Sequence, residues 1–348
     1  MRILVLTTQV FYTRGGAEIH ADSLLEALRK EGHQAELVAI PFKWYPPEKI
    51  LDNLLACRLL DITQSNGVPV DRVIGLRYPA YHIPHPNKVL WILHQYRTAF
   101  DLWGQPECDL GFFPNGKSVR EAIETSERKL LPEARKIFAN SRNVAGRLEQ
   151  FCGIKSEPLY HPPRGAERFM SGPCGDFFFY PSRICSLKRQ ELVLRALAKT
   201  SEPVRMVFSG TADEPHVFEE MKELSRKLRV DSRVEWLGRI SDEELVRRYS
   251  TCRAVIFPPK DEDYGYITLE GMLSSKAVVT CRDSGGPLEF VEDGDTGLVA
   301  DCDPDSLAQA MDRMWRDKDF AIAAGEKGRA KIDELGINWK NVVKKLLA

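Results

Sequence analysis

The sequence predicts an α/β protein built from two doubly wound parallel-sheet domains, and three features predict it. Short apolar runs alternate with amphipathic helical segments along the chain. Many of those runs are continuously apolar, as in parallel strands covered on both faces. The alternation breaks at one Pro-, Gly- and charge-rich stretch, HPPRGAERFMSGPCGD (161–176), and then restarts. With 348 residues the chain also exceeds what one core comfortably holds. The expected domains are 1–165 and 166–330, followed by a terminal segment, 331–348, that braces the first domain.

In order, RILVLTT (2–8) reads as the first strand. AEIHADSLLEALRKEGH follows, with Ala17, Ala21, Leu24, Leu25 and Leu28 at helical spacing and Gly32 placed to end the helix. AELVAI (35–40), VIGL (73–76), KVLWILH (88–94) and KIFANS (136–141) read as further buried strands; periodicity between about 96 and 130 is weak. After the break, FFFYPS, VRMVFSG, VEWLG, AVIFPP, AVVTC and GLVAD are strands. RQELVLRALAKT, HVFEEMKELSRKLR, SDEELVRRYSTC and ITLEGMLSSK are the helices between them. SDEEL (241–245) carries a capping-box signature. GINWKNVVKKLLA closes the chain as an amphipathic helix with Trp339, Val342, Val343 and Leu346 on one stripe.

Composition narrows the function classes. The formal net charge of −1 gives no electrostatic footprint for nucleic acid. No apolar run is long enough to span a bilayer, and the first residues read as a strand and not as a signal peptide. Eight scattered cysteines, without a C-x-x-C pair, fit reduced thiols and not a disulfide frame or zinc site. A cytoplasmic protein is expected, with a peripheral contact at the inner membrane face left open.

Three stretches carry chemistry. Gly15-Gly16 lie between the first strand and its helix, where small residues let backbone N–H groups and the helix N-terminus approach an anion. The pair fits an ordinary tight turn equally well, and the G-x-G-x-x-G dinucleotide fingerprint is absent. In YPSRICSLKRQELV, Arg183 and Lys188 follow a strand end, where a guanidinium fork and an ammonium suit a diphosphate; a solvated loop is the bland alternative. The most informative stretch is AVIFPPKDEDYGYITLEGMLSSKAVVT (254–280). Gly265, between Tyr264 and Tyr266, opens a helix whose first amides, at Gly265, Tyr266 and Ile267, point toward a phosphate or sugar oxygen. Glu262 precedes it on the loop, and Glu270 lies about one turn into the helix, where it can accept from a ribose diol. Asp261, Glu262 and Asp263 also offer a rival reading as an acidic metal-binding motif, against which the basic pair and the helix start argue.

These residues carry a family resemblance. The chain resembles the retaining glycosyltransferases of the GT-B fold, specifically the large family four, whose members use nucleotide-diphosphate sugars. The family's E-x7-E signature corresponds to EDYGYITLE, Glu262 to Glu270. GGAE (15–18) matches its first phosphate loop, and Arg183 with Lys188 matches the pair that grips the diphosphate. ILHQ (92–95) matches a strand-end histidine, here His94, that reaches the donor sugar. EWLGRISDEEL (235–245) resembles the loop that meets the nucleobase, implying Arg239, Ile240 and Asp242. DSGGPLEFVEDGDTGLVAD (283–301) is also similar. Two positions depart from the pattern: Ser182 replaces a usual Gly before the arginine, and Gln95 follows the histidine where an Asp is common.

The resemblance implies two Rossmann-like domains facing a cleft and retaining transfer of a hexose from a UDP- or GDP-linked donor to a glycan or lipid-linked acceptor. Glu262, His94, Arg183 and Lys188 are then the catalytic set. Gly15, Gly16, Arg239, Ile240, Tyr264, Gly265, Tyr266, Ile267 and Glu270 bind the donor. Neither a metal nor another cofactor is expected. The acceptor is expected against the first domain, near residues 42–60 and 94–105. A sugar-nucleotide epimerase or phosphorylase on the same fold, and an inactive nucleotide-sugar-binding protein, are the alternatives.

Overall fold

Strand β1 (Arg2–Gln9) lies between β2 (Gln34–Pro41) and β5 (Arg72–Gly75), parallel to both. This is the start of the first of two compact units in the computed structural model, which describes residues 1–212 and 214–348. The first unit comprises Met1–Arg164 and Asn338–Ala348, and the second comprises Gly165–Ile337. The crossing back into the first unit is thus at Asn338; residues 331–337 stay with the second.

In the first unit, α1 (Gly16–Lys30) follows β1, and α2 (Glu48–Leu59) follows β2. A short hairpin, β3 (Gln64–Ser65) and β4 (Val68–Pro69), precedes β5. Next come β6 (Lys88–Ile92), α3 (Gly116–Leu130), β7 (Lys136–Ala139), α4 (Arg142–Cys152) and β8 (Glu157–Pro158). The six-stranded sheet runs β2-β1-β5-β6-β7-β8, all parallel.

One core packs Leu24 and Leu28 of α1 against Val5, Ile74 and Trp91, and the terminal helix α11 (Trp339–Leu347) adds Val342, Val343 and Leu346. The other core gathers Leu90 and Ile92 with Val119, Ile123, Val144 and Leu148 from α3 and α4. Burying apolar surface in this way is the main force favouring the layered arrangement. Two expectations are corrected. β2 is an edge strand with several exposed positions, not a buried one, because it has a neighbour on one side only. The weakly periodic region contains the fifteen-residue helix α3. Its buried stripe is Gly116, Val119, Ile123 and Glu127, and a glycine and a glutamate in that stripe erase the apolar signal.

The second unit contains β9 (Phe178–Pro181), α5 (Gln190–Leu197), β10 (Met206–Ser209), α6 (Pro215–Lys227), β11 (Val234–Trp236) and α7 (Asp242–Thr251). It continues with β12 (Ala254–Ile256), α8 (Tyr266–Leu273), β13 (Ala277–Cys281), β14 (Gly297–Ala300), α9 (Pro304–Arg316) and α10 (Lys318–Glu334). Its sheet runs β11-β10-β9-β12-β13-β14, again all parallel. Every residue of β9, β10, β12 and β13 is buried, which is why their sequences read as unbroken apolar runs.

Strand order fixes where ligands can sit. Open α/β sheets bind at the carboxyl ends of strands where the order reverses direction. That switch lies between β1 and β5 in the first unit and between β9 and β12 in the second. Among the described residues, no helix is long and apolar enough to cross a membrane.

Candidate active site

Three loops interlock at the β9/β12 switch. The first carries Arg183 and Lys188 between β9 and α5; the second runs from β12 through Glu262 to Gly265; the third, residues 283–287, follows β13. Backbone pairing ties them. The Asp261 and Glu262 amides donate to Asp283 and Ser284 carbonyls at 2.9 Å each, and Gly286 N–H returns to the Glu262 carbonyl at 2.8 Å. Lys260 N–H donates to the Leu187 carbonyl at 2.8 Å. Arg189 clasps Asp283 with two guanidinium bonds, of 2.8 and 2.7 Å, and holds that carboxyl below its ordinary pKa.

Within this frame Lys188 and Glu262 form an ion pair, Nζ donating to Oε2, and both side chains are half-buried. Lys188 Nζ also stands 5.4 Å over the Phe257 ring, while the Tyr180 hydroxyl donates to the Lys188 carbonyl. The residue is therefore gripped from its backbone and its side chain. Arg183 is exposed; its carbonyl accepts from the buried Gln190 amide at 2.8 Å, which orders the loop beneath it.

Gly265 is the N-cap of α8, with φ 87°. A Cβ there would lie 3.1 Å from Pro287 and 3.3 Å from Phe257, so conformation and space both call for glycine. Gly286 passes so close to the Tyr264 carbonyl that a Cβ would sit 2.6 Å from it, and this is how the third loop meets the second. The first amides of α8 have no acceptor within the helix ladder, so the N-terminus favours an anion. Tyr264 is buried against Phe290, and Tyr266 and Ile267 are half-buried at the helix start. Glu270, one turn on, is half-buried and accepts from the Tyr249 hydroxyl at 2.6 Å. Burial pushes its carboxyl up to about 7.

The loop between β11 and α7 carries Arg239, exposed, and Ile240, half-buried. It is anchored where Gly210 N–H donates to the Gly238 carbonyl at 2.7 Å. Ser241 caps α7, its hydroxyl accepting from Glu244 N–H at 3.2 Å, and Asp242 opens the helix. The expected capping box is corrected in its second half: the Glu244 carboxylate turns to Arg247 and Arg248.

In the first unit, Gly15 is half-buried and caps α1, with Gly16 exposed beside it. Glu18 accepts from Gly15 N–H at 2.8 Å and from Arg77 at 2.8 Å, so a cation from the loop after β5 supports the glycine turn at that unit's switch point. His94 lies two residues beyond β6, its Nδ1 2.6 Å from the Gln95 carbonyl. A carbonyl only accepts, so Nδ1 carries the proton and Nε2 of the neutral ring is an acceptor. Gln95 turns inward. Its amide donates at 3.2 Å to Glu127, a buried carboxylate that also takes the Tyr81 hydroxyl at 2.7 Å and pairs with His82 Nε2 at 2.9 Å.

Among the described residues no group of three or more His, Cys, Asp or Glu side chains is arranged to hold a metal ion. The Glu262 carboxylate is turned to Lys188. Arg77, Tyr249, Arg189 and Asp283 are not singled out by the sequence, although Arg189 and Asp283 lie in stretches that it marks, because each acts through a partner distant along the chain.

The family model described as Glycosyl transferases group 1 matches residues 174–331. Among curated proteins, the alpha-1,3/1,6-mannosyltransferase ALG2 of Homo sapiens is 26% identical over 145 residues, covering 40% of this chain and 35% of its own. The D-inositol 3-phosphate glycosyltransferase of Corynebacterium diphtheriae is 31% identical over 145 residues, 40% of this chain and 34% of that protein. The matches thus span about a third of these relatives' length. Among solved structures, sucrose-phosphate synthase from Thermosynechococcus elongatus has a TM-score of 0.78 at 17% identity, covering 99% of this chain and 97% of that one. HepE of Anabaena, solved with UDP and glucose, has a TM-score of 0.71 at 16% identity, covering 99% and 98%. The fold is GT-B, and residues 174–331, within the second unit, are similar to the glycosyl transferases group 1.

Proposed function

We propose that the protein is a metal-independent glycosyltransferase that moves a hexose, with retention at the anomeric carbon, from a UDP- or GDP-linked donor to an acceptor hydroxyl in glycan or glycolipid synthesis. The observation that carries this reading is the Lys188–Glu262 pair, held by interlocked loops at the β9/β12 switch. It sets a cation and a carboxylate side by side near the N-terminus of α8.

The diphosphate lies along Arg183, Lys188 and the first amides of α8. Negative charge develops on this leaving group as the glycosidic bond breaks through an oxocarbenium-like state. Each preplaced donor that tightens on it lowers the barrier by ~3 kcal/mol, by analogy with oxyanion sites. Lys188 is already oriented by Glu262, Phe257 and Tyr180, so little reorganisation is needed when charge appears. Glu262 holds the sugar's ring hydroxyls, Glu270 accepts from the ribose diol, and the loop at Arg239 and Ile240 meets the base. No carboxylate is assigned as a nucleophile beneath the sugar; the acceptor attacks on the departing face and passes its proton to the leaving phosphate oxygen. In the first unit, Gly15 and Gly16 leave room for an anion at the start of α1, and His94 is a partner for a sugar hydroxyl.

The test is sugar transfer and free-sugar release by Glu262→Ala, alongside its binding of UDP and GDP. Turnover falls by about 100-fold or more, on the scale of one lost electrostatic contact in the transition state, while nucleotide still binds. Wild-type turnover in that variant contradicts the assignment. Dependence on inorganic phosphate, or an epimerised donor, would turn the reading to the alternative enzymes; binding without turnover by the unaltered protein would indicate a binding protein.

A further inference from the structure

We propose that Tyr249 is a positioning residue for recognition of the donor's ribose, fixing one oxygen of Glu270 so that the rest of the carboxylate accepts the diol. The assignment rests on the donor reading above and names a residue that it does not include.

Tyr249 is fully buried on α7, with its ring packed edge-on against Phe169 at 5.6 Å and Phe179 at 5.2 Å. Those contacts leave a phenol little freedom to turn. Its hydroxyl donates to Glu270 Oε2 at 2.6 Å, a short charge-assisted bond from the buried side of the carboxylate. Glu270 itself keeps some surface open to solvent. An ionised carboxylate offers about four lone-pair directions, and Tyr249 uses one. Two adjacent ribose hydroxyls can engage what remains, provided that the carboxylate plane does not rotate. A buried tyrosine needs a hydrogen-bond partner in any case, which is a structural role distinct from positioning. What separates the two roles is whether ligand recognition follows the hydroxyl.

Burial and two groups act on the Glu270 charge. Burial raises its pKa to about 7, the Tyr249 bond lowers it, and the Asp242 carboxylate at the start of α7 raises it. The Tyr266 phenol, one turn earlier on α8, is pushed up by its burial and, secondarily, by the Glu270 charge. The carboxylate accepts the diol best when ionised. Preference for a ribose diol therefore rises with pH through the neutral range. Losing the Tyr249 bond raises the Glu270 pKa and moves that rise to higher pH.

The experiment titrates the full chain with UDP and GDP and with their 2′,3′-dideoxy counterparts from pH 6 to 8.5. Taking the ratio of ribo to dideoxy affinity cancels titration of the phosphates. In the wild type the ratio for the bound nucleotide exceeds one and climbs with pH. In Tyr249→Phe it falls about 5-fold at pH 7, the scale of one hydrogen bond, and its rise moves to higher pH, while dideoxy binding is unchanged. A folded Tyr249→Phe protein with the wild-type ratio at every pH overturns the proposal. Should that variant fail to fold, Glu270→Gln serves: it retains an acceptor for Tyr249 but cannot titrate, so a pH-dependent ratio there overturns the proposal. A wild type that binds both sugars equally overturns it while leaving the donor reading intact. A wild type that binds none of the four nucleotides overturns both.

Discussion

The switch points of the two units are built by different means. In the second unit, loops after β9, β12 and β13 are tied together by backbone hydrogen bonds, an Arg189–Asp283 clasp and glycines at Gly265 and Gly286. In the first, the glycine turn leans on Glu18 and Arg77, and the segment after His94 leans on a buried side-chain cluster around Glu127. Backbone pairing fixes loop geometry with few demands on side-chain identity beyond its glycines and charged clasps. A buried polar cluster works only if every member finds its partner. The family match follows the same division, since residues 174–331 fall inside the second unit.

The largest expected effect that separates the two is Glu127→Ala. It strands the Tyr81 hydroxyl, His82 and the Gln95 amide in the core, and should cost about 3–5 kcal/mol of stability, seen as a lower chemical-denaturation midpoint for the first unit. The second unit's nucleotide affinity should change little once the protein is folded. An unchanged midpoint would show that the cluster is not what holds the first unit's loops. Gly265→Ala comes next. The left-handed backbone should cost ~1–2 kcal/mol, with the crowding against Pro287 and Phe257 added. Nucleotide affinity should fall as the start of α8 shifts; tight binding with unaltered affinity would count against a role for those amides.

The smallest effect concerns pH. Arg189 holds the Asp283 carboxyl below its ordinary value, so the pair stabilises the folded state above the unfolded carboxyl's pKa. That contribution is lost as pH falls through the depressed folded value. Asp283 is roughly half exposed, so the pair is worth at most about 1 kcal/mol. Asp283→Asn should lower stability slightly at pH 7 and leave it equal to wild type in strong acid. A variant equally stable at both would remove the clasp from the account.

How much was legible follows the same physics. The strands of the second sheet were readable because burial on both faces makes them continuously apolar. The turn at Gly265 was readable because a glycine between a continuously apolar run and an amphipathic one marks a strand-to-helix turn within a few residues. The helix α3 was not, since Gly116 and Glu127 occupy its buried stripe. Tyr249, Arg189 and Arg77 were invisible for another reason: their partners lie 21, 94 and 59 residues away, and such pairings exist only once the sheet has formed. Gln95 shows both limits. Its departure from the family pattern was plain in the sequence, but the inward turn onto Glu127 belongs to tertiary packing.

The most direct test of the central claim, a cationic diphosphate site at the second unit's switch, is calorimetric titration of the wild type and Lys188→Ala with UDP and GDP, in EDTA and with added magnesium. The account predicts that one nucleotide binds the wild type equally well in both buffers. In Lys188→Ala that affinity should drop by about 10-fold or more, the scale of a charged hydrogen bond. Superimposable curves for the two proteins, or wild-type binding that appears only with the divalent ion, would contradict it.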